Sequence, residues 1–177
     1  MEIDFKQMIW SGILIVTGII LALVFNSFGL AHAFLPLHIP IMLGGFILAW
    51  PYAILVALIT PILSSIVVSA PHFAYLWYML PELITYALVI NIMFRKNIKA
   101  TFIKRVYLPL GVALIVGRLS ASLFQAILIA NNKSFVDFFS SVLIMGIPGI
   151  ILQLILIPLI LYILSKSNLI ESSFQKS

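Results

Sequence analysis

The chain has 177 residues, 63% of them hydrophobic and 8% charged, with a formal net charge of +5 and no cysteine. So few charged groups cannot cover a water-soluble surface of this size, and the composition predicts an integral membrane protein. The absence of cysteine excludes disulfides, thiolate metal sites and a cysteine nucleophile.

In lipid the backbone must satisfy its own hydrogen bonds, as helices or as a closed barrel. The long apolar runs lack the period-two alternation of barrel strands, so helices are expected. The expected fold class is all-α: one integral membrane bundle of six transmembrane helices over residues 1–177, with both termini cytoplasmic.

At about 20 residues per crossing, the first span covers 8–25 and ends at Asn26-Ser27. The preceding Met-Glu-Ile-Asp-Phe-Lys lacks the positive region of a cleavable signal, so this helix is expected to be retained. The segment from Gly29 to His38 reads as a loop or re-entrant piece. An apolar run from Ile39 to Val68, interrupted by Trp50-Pro51 and Pro61, is too long for one span and reads as two short or tilted helices, 39–50 and 52–69. Ser69-Ala70-Pro71-His72 reads as a turn, followed by a fourth span over 75–93 containing Pro81. Arg95, Lys96, Lys99, Lys104 and Arg105 make 94–106 a basic, solvated cytoplasmic loop. A fifth span over 107–130 leads through the polar Asn131-Asn132-Lys133-Ser134 to a sixth over 138–164 and a short polar tail.

Short cytoplasmic loops collect Lys and Arg. Six spans with the N-terminus inside put Lys6, the five loop residues, Lys166 and Lys176 on one side, and only Lys133 on the other. The aromatic residues fit the same topology, with Trp10, Trp50, Tyr52, Tyr107 and Tyr162 at the inner boundary and Tyr75, Trp77 and Tyr78 at the outer one. The positive charge is explained by this bias and by anionic lipid, and calls for no nucleic-acid partner. No phosphate-binding glycine loop is present, so active transport would draw its energy from a partner or an ion gradient.

Ionisable residues within spans are costly and mark function by default. Glu82, directly after Pro81, and Arg118, near the middle of the fifth span, are the two. They either pair across the bundle or meet a ligand, and the guanidinium of Arg118 suits a carboxylate or phosphate. Gln125, Asn131, Asn132 and Gln153 suggest an outward-facing polar pocket, or amides bonded to neighbouring helices. Gly146-Ile147-Pro148-Gly149 is expected to open the last helix locally. His32, His38 and His72 map to outer loops. No carboxylate or cysteine accompanies them at ligand spacing, so no metal is expected, and they read as lid or ligand contacts beside Asn26, Tyr75, Trp77 and Tyr78. The aromatics also suit an interfacial belt. Gly18 and Ala22 form a small-residue pair that serves either internal packing or a membrane partner.

His38-Ile-Pro-Ile-Met-Leu-Gly-Gly-Phe46, Trp50-Pro-Tyr52, Thr60-Pro-Ile-Leu-Ser-Ser65, Pro81-Glu-Leu83, Gly117-Arg118 and Gly146-Ile-Pro-Gly-Ile-Ile-Leu-Gln153 together resemble the substrate-binding S components of energy-coupling factor (ECF) vitamin transporters. The resemblance implies a multi-pass protein of a bacterial cell membrane. It would capture a vitamin or precursor outside and deliver it inward with a transmembrane T component and two ATPases. It also implies that Gly18 and Ala22 pack on the T component, and that the outer pocket is capped by the segment from Asn26 to His38. The substrate-binding residues expected are Asn26, His32, His38, Trp77, Tyr78, Glu82, Arg118, Gln125, Asn131 and Gln153, with no catalytic residue and no cofactor. Pantothenate is the first expectation for the ligand, through a carboxylate on Arg118; pyridoxine, a thiamine-type pyrimidine and cobalamin fit the same pattern. The alternatives are a small membrane-embedded hydrolase and a structural membrane subunit without a ligand.

Overall fold

The computed structural model describes residues 4–96, 101–128 and 134–166. These form seven helical segments: α1 (Phe5–Ser27), α2 (Ala31–Phe34), α3 (His38–Ile47), α4 (Trp50–Val68), α5 (Phe73–Lys96), α6 (Phe102–Leu128) and α7 (Phe135–Lys166). The all-helical expectation holds. Five of the helices, α1 and α4 to α7, are long and apolar enough to cross a membrane.

The second expected crossing is not a span. α3 has ten residues, about 15 Å of helix at 1.5 Å per residue, half of what a bilayer core needs. All ten of its residues are buried, and it packs against α1, α4, α5 and α7. A helix that is apolar on every side is stable where other helices enclose it on every side, so the long apolar run from Ile39 encodes a central core helix followed by one true span. The break falls where Leu48 and Ala49 turn extended (ψ 158° and 152°) ahead of Pro51 in the first turn of α4.

Between α1 and α3 the chain descends into the bundle. α2 packs on α7, where the Phe34 carbonyl lies so close to Gly149 that a β-carbon there would stand 2.9 Å from its oxygen. Gly149 is the fifteenth residue of α7, about 20 Å along it. The segment from Gly29 to His38 is therefore neither the loop nor the re-entrant piece expected for it: it leads into α3, whose last residues meet Gln7 and Asn91 at the opposite end, so the descending segment and α3 traverse the bundle together in two pieces. It bends at Leu35, whose φ of 49° lies in the left-handed region. Irregular backbone at such depth is tolerated where protein encloses it or where it lines a cavity, and here it does both.

One end of the bundle is fastened by polar contacts. Asn91 donates to the carbonyls of Gly45 (3.0 Å) and Leu48 (2.7 Å), and Arg95 donates to Leu48 (3.3 Å). The Ala49 N–H donates to Gln7 Oε1 at 2.8 Å, and the Asp4 N–H to Tyr52 Oη at 3.1 Å. The bonds from Asn91 and Arg95 satisfy carbonyls at the end of α3, and those to Gln7 and Tyr52 satisfy the N–H groups of Ala49 and Asp4 next to helix starts. The expected solvated loop 94–106 is corrected at the same end: Arg95 and Lys96 lie in the last turn of α5, and Lys104 and Arg105 in the first turns of α6. The Arg105 guanidinium stacks 4.3 Å from the Phe94 ring centroid. With both flanking helices extended, these four basic groups are mounted on helix ends, and Lys99 lies outside the described residues. Lys6 and Lys166 share this end.

Candidate functional site

At the opposite end the helices part around a cavity of about 560 Å³, bounded by the end of α1, the descending segment 29–38, the α4–α5 turn, and α5, α6 and α7. Its depth follows from two charged residues. Glu82 lies nine residues into α5 and Arg118 ten residues before the end of α6, each about 14 Å below the mouth at 1.5 Å per residue. Both are all but fully buried, and Arg118 Nη1 lies 3.3 Å from Glu82 Oε1. They pair across the bundle, as an intramembrane charge requires.

The same carboxylate oxygen accepts the Tyr86 hydroxyl at 2.6 Å, and His38 Nε2 stands 3.7 Å from it. His38 is thus not the outer-loop residue expected from the sequence. It is the first residue of α3, carried to the cavity floor by the descent of the segment before it, with its ring 5.5 Å from that of Tyr86. Arg118 uses one nitrogen: Nη1 also reaches the Val142 carbonyl at 3.5 Å. Its Nε and Nη2, and both ring nitrogens of His38, have no hydrogen-bond partner among the described residues. Buried polar groups in a folded protein are ordinarily paired, so the floor holds unused donors.

Two glycines of α7 make this arrangement possible. The Gly146-Ile147-Pro148-Gly149 segment was expected to open the helix, yet α7 runs unbroken from Phe135 to Lys166. Its glycines instead admit neighbours: Gly146 leaves the space that the Arg118 guanidinium fills, and Gly149 receives the Phe34 backbone.

Of the other expected site residues, Asn26, Tyr78 and Gln125 line the cavity. Trp77 does not: it is 72% exposed on the outside of the bundle, as an interfacial aromatic would be. Gln153 is fully buried away from the cavity lining, and neither of its amide atoms has a hydrogen-bond partner among the described residues. α2 contains His32, Asn131 lies outside the described residues, and the side chain of His32 is likewise outside them. His72 and Tyr75, read as mouth residues, line the upper wall with Tyr78; ring centroids are 6.4 Å apart from His72 to Tyr75 and 6.0 Å from Tyr75 to Tyr78.

Gly18 and Ala22 face inward. A β-carbon on Gly18 would stand 2.5 Å from Thr60 Cγ2 and 3.2 Å from Pro40, and Ala22 is 2% exposed and touches the cavity. Their small size lets α1 close on α3 and α4, the internal-packing alternative for this stripe. Sequence reasoning missed Tyr86, whose hydroxyl sets the Glu82 carboxylate; the available signal was its position one turn after Glu82 on the same face.

The site belongs to a helical bundle with five helices of membrane-spanning length and, at one end, an open cavity with a buried charged pair at its floor. Comparison with protein-family models, with curated proteins and with solved structures returned no match.

Proposed function

We propose that this chain is the substrate-capturing subunit of a multi-component importer of the ECF type, the reading its sequence resemblance implies. It would take a vitamin or vitamin precursor from outside and pass it inward with a T component and two ATPases. The observation that carries the reading is the cavity: about 560 Å³, within the range of small-molecule sites, with unused buried donors on its floor. Its mouth lies at the end of the bundle that carries no Lys or Arg among the described residues, while Lys6, Arg95, Lys96, Lys104, Arg105 and Lys166 lie at the other end. The positive-inside rule turns the mouth outward from a cell membrane and both chain ends toward the cytoplasm.

In this reading no covalent chemistry occurs. The segment from Asn26 to His38 covers the ligand, and tilting of the chain against its partner exposes the cavity inward. ATP hydrolysis in the partners supplies the energy difference between the two orientations. Pantothenate, pyridoxine and a thiamine-type pyrimidine match the cavity in size; cobalamin, with its corrin ring and nucleotide tail, exceeds it.

The proximity of His38 to Glu82 favours one other reading, a membrane-embedded hydrolase. Against it, the Glu82 oxygen nearest His38 is already held by Tyr86 and Arg118, which stabilise the carboxylate instead of leaving it free to take a proton.

The test is to purify the chain from cells grown in rich medium and identify co-purifying small molecules by mass spectrometry. An intact vitamin-like compound is expected, and adding it should raise thermal stability, by about 2.7 kcal/mol at a hundredfold excess over Kd. Recovery of no compound, with no stabilisation across a vitamin panel, would refute the capture reading.

A further inference from the structure

We infer that the ligand of this cavity is an uncharged planar heterocycle bearing hydroxyl or carbonyl acceptors, and not an anion. This rests on the capture reading above and narrows the chemistry of the same site.

Charge balance carries the first half of the argument. Among the described residues, Glu82 and Arg118 are the only Asp, Glu, Lys or Arg side chains that line the cavity, and they neutralise one another at 3.3 Å. The remaining polar lining is the amides and hydroxyls of residues such as Asn26, Gln125 and Ser141, with the imidazoles of His38 and His72. A carboxylate arriving on Arg118 would be a second anion beside Glu82 with a single guanidinium between them. An uncompensated buried charge is among the most costly things a protein interior can hold. The charge of Arg118 is therefore already engaged.

Its hydrogen bonds are not. Nε and Nη2 carry three N–H bonds between them and find no partner among the described residues, and the two ring nitrogens of His38 are likewise without a hydrogen bond. Such a floor calls for neutral acceptors, namely hydroxyl, carbonyl or ring nitrogen. The wall above supplies the shape requirement. His72, just ahead of α5, and Tyr75 and Tyr78 in its first two turns follow one another at three-residue spacing, and all three line the cavity. Aromatic faces of this kind receive a flat ring.

The experiment uses the full chain in lipid nanodiscs and compares affinities within pairs of probes that differ in charge: pyridoxine against 4-pyridoxate, nicotinamide against nicotinate, and panthenol against pantothenate. The neutral member of the best-bound pair is expected to bind at least about tenfold more tightly, a difference of about 1.4 kcal/mol. Glu82→Gln removes the anion and leaves Arg118 unpaired, so the ratio should move toward the carboxylate by about tenfold or more. A wild-type protein that prefers the carboxylate overturns the inference while leaving the capture reading standing, as does a folded Glu82→Gln protein with an unchanged ratio. If Glu82→Gln does not fold, the wild-type comparison decides alone. Failure of every probe, with no co-purified molecule, removes the capture reading and this inference with it.

Discussion

The guanidinium of Arg118 occupies the space a side chain on Gly146 would need: a β-carbon there would stand 2.7 Å from Nη2 and 3.0 Å from Cζ. α7 thus fixes the direction of the charged group that α6 supplies. Gly146→Ala is expected to push the guanidinium off Glu82 and out of register with the cavity floor. Because a flexible side-chain end has to move and no backbone does, the stability cost should be that of modest overpacking, about 1–3 kcal/mol, while ligand affinity falls by more than the fold is weakened. Thermal melts with and without ligand separate the two effects; an unchanged ligand-induced shift would contradict this placement of Arg118.

Asn91 does for the bundle's basic end what a capping residue does for a helix. Its amide bonds the carbonyls of Gly45 and Leu48, and it is 3% exposed. Asn91→Leu keeps the bulk and removes the donors, taking the Asn91 bond from the Gly45 carbonyl and leaving the Leu48 carbonyl with the 3.3 Å bond from Arg95. The expected loss is about 1–3 kcal/mol per orphaned group, read as a lower melting temperature. Ligand affinity should stay within about threefold, since the cavity lies at the other end.

Gln153 was expected in the binding site from polarity alone. It is instead enclosed, with both amide atoms unpartnered among the described residues and no place in the cavity lining. Replacing an unsatisfied buried amide by an apolar group of similar shape recovers its desolvation cost. Gln153→Leu is expected to leave affinity unchanged and to raise stability by about 1 kcal/mol or more. A loss of affinity exceeding tenfold would return Gln153 to the site.

The residues legible in sequence and those that were not differ for a physical reason. Glu82 and Arg118 stood out because a charge in an apolar span must be compensated, and their pairing was one of two readings open from the start. The long helices were equally plain, since 20 or so apolar residues admit few other structures. His38 and α3 were misplaced because a broken crossing is defined by where its pieces go, not by what they contain. His38-Ile-Pro-Ile reads as the polar edge of a span until Phe34 is seen packed on Gly149. Asn91 and Gln7 drew no notice because a lone amide near a helix end is ordinary in sequence. The partners, two carbonyls for Asn91 and the Ala49 N–H for Gln7, lie in other segments, more than forty residues away in the chain.

The small-residue stripe of α1 offers the sharpest choice between two uses of one pattern. If Gly18 serves a partner alone, enlarging it leaves the isolated chain intact. The observed packing predicts otherwise, because a β-carbon at Gly18 meets Thr60 Cγ2 at 2.5 Å and Thr60, donating to the Val56 carbonyl at 2.7 Å, is held in its rotamer. Gly18→Val is therefore expected to force α1 away from α4 and lower the stability of the purified chain by about 2–3 kcal/mol, in the absence of any other protein. The displacement should also widen the cavity at Ala22, one turn along the same face, and weaken ligand binding. A Gly18→Val protein that melts like the wild type, binds ligand normally and fails only in uptake by intact cells would assign the stripe to a partner after all.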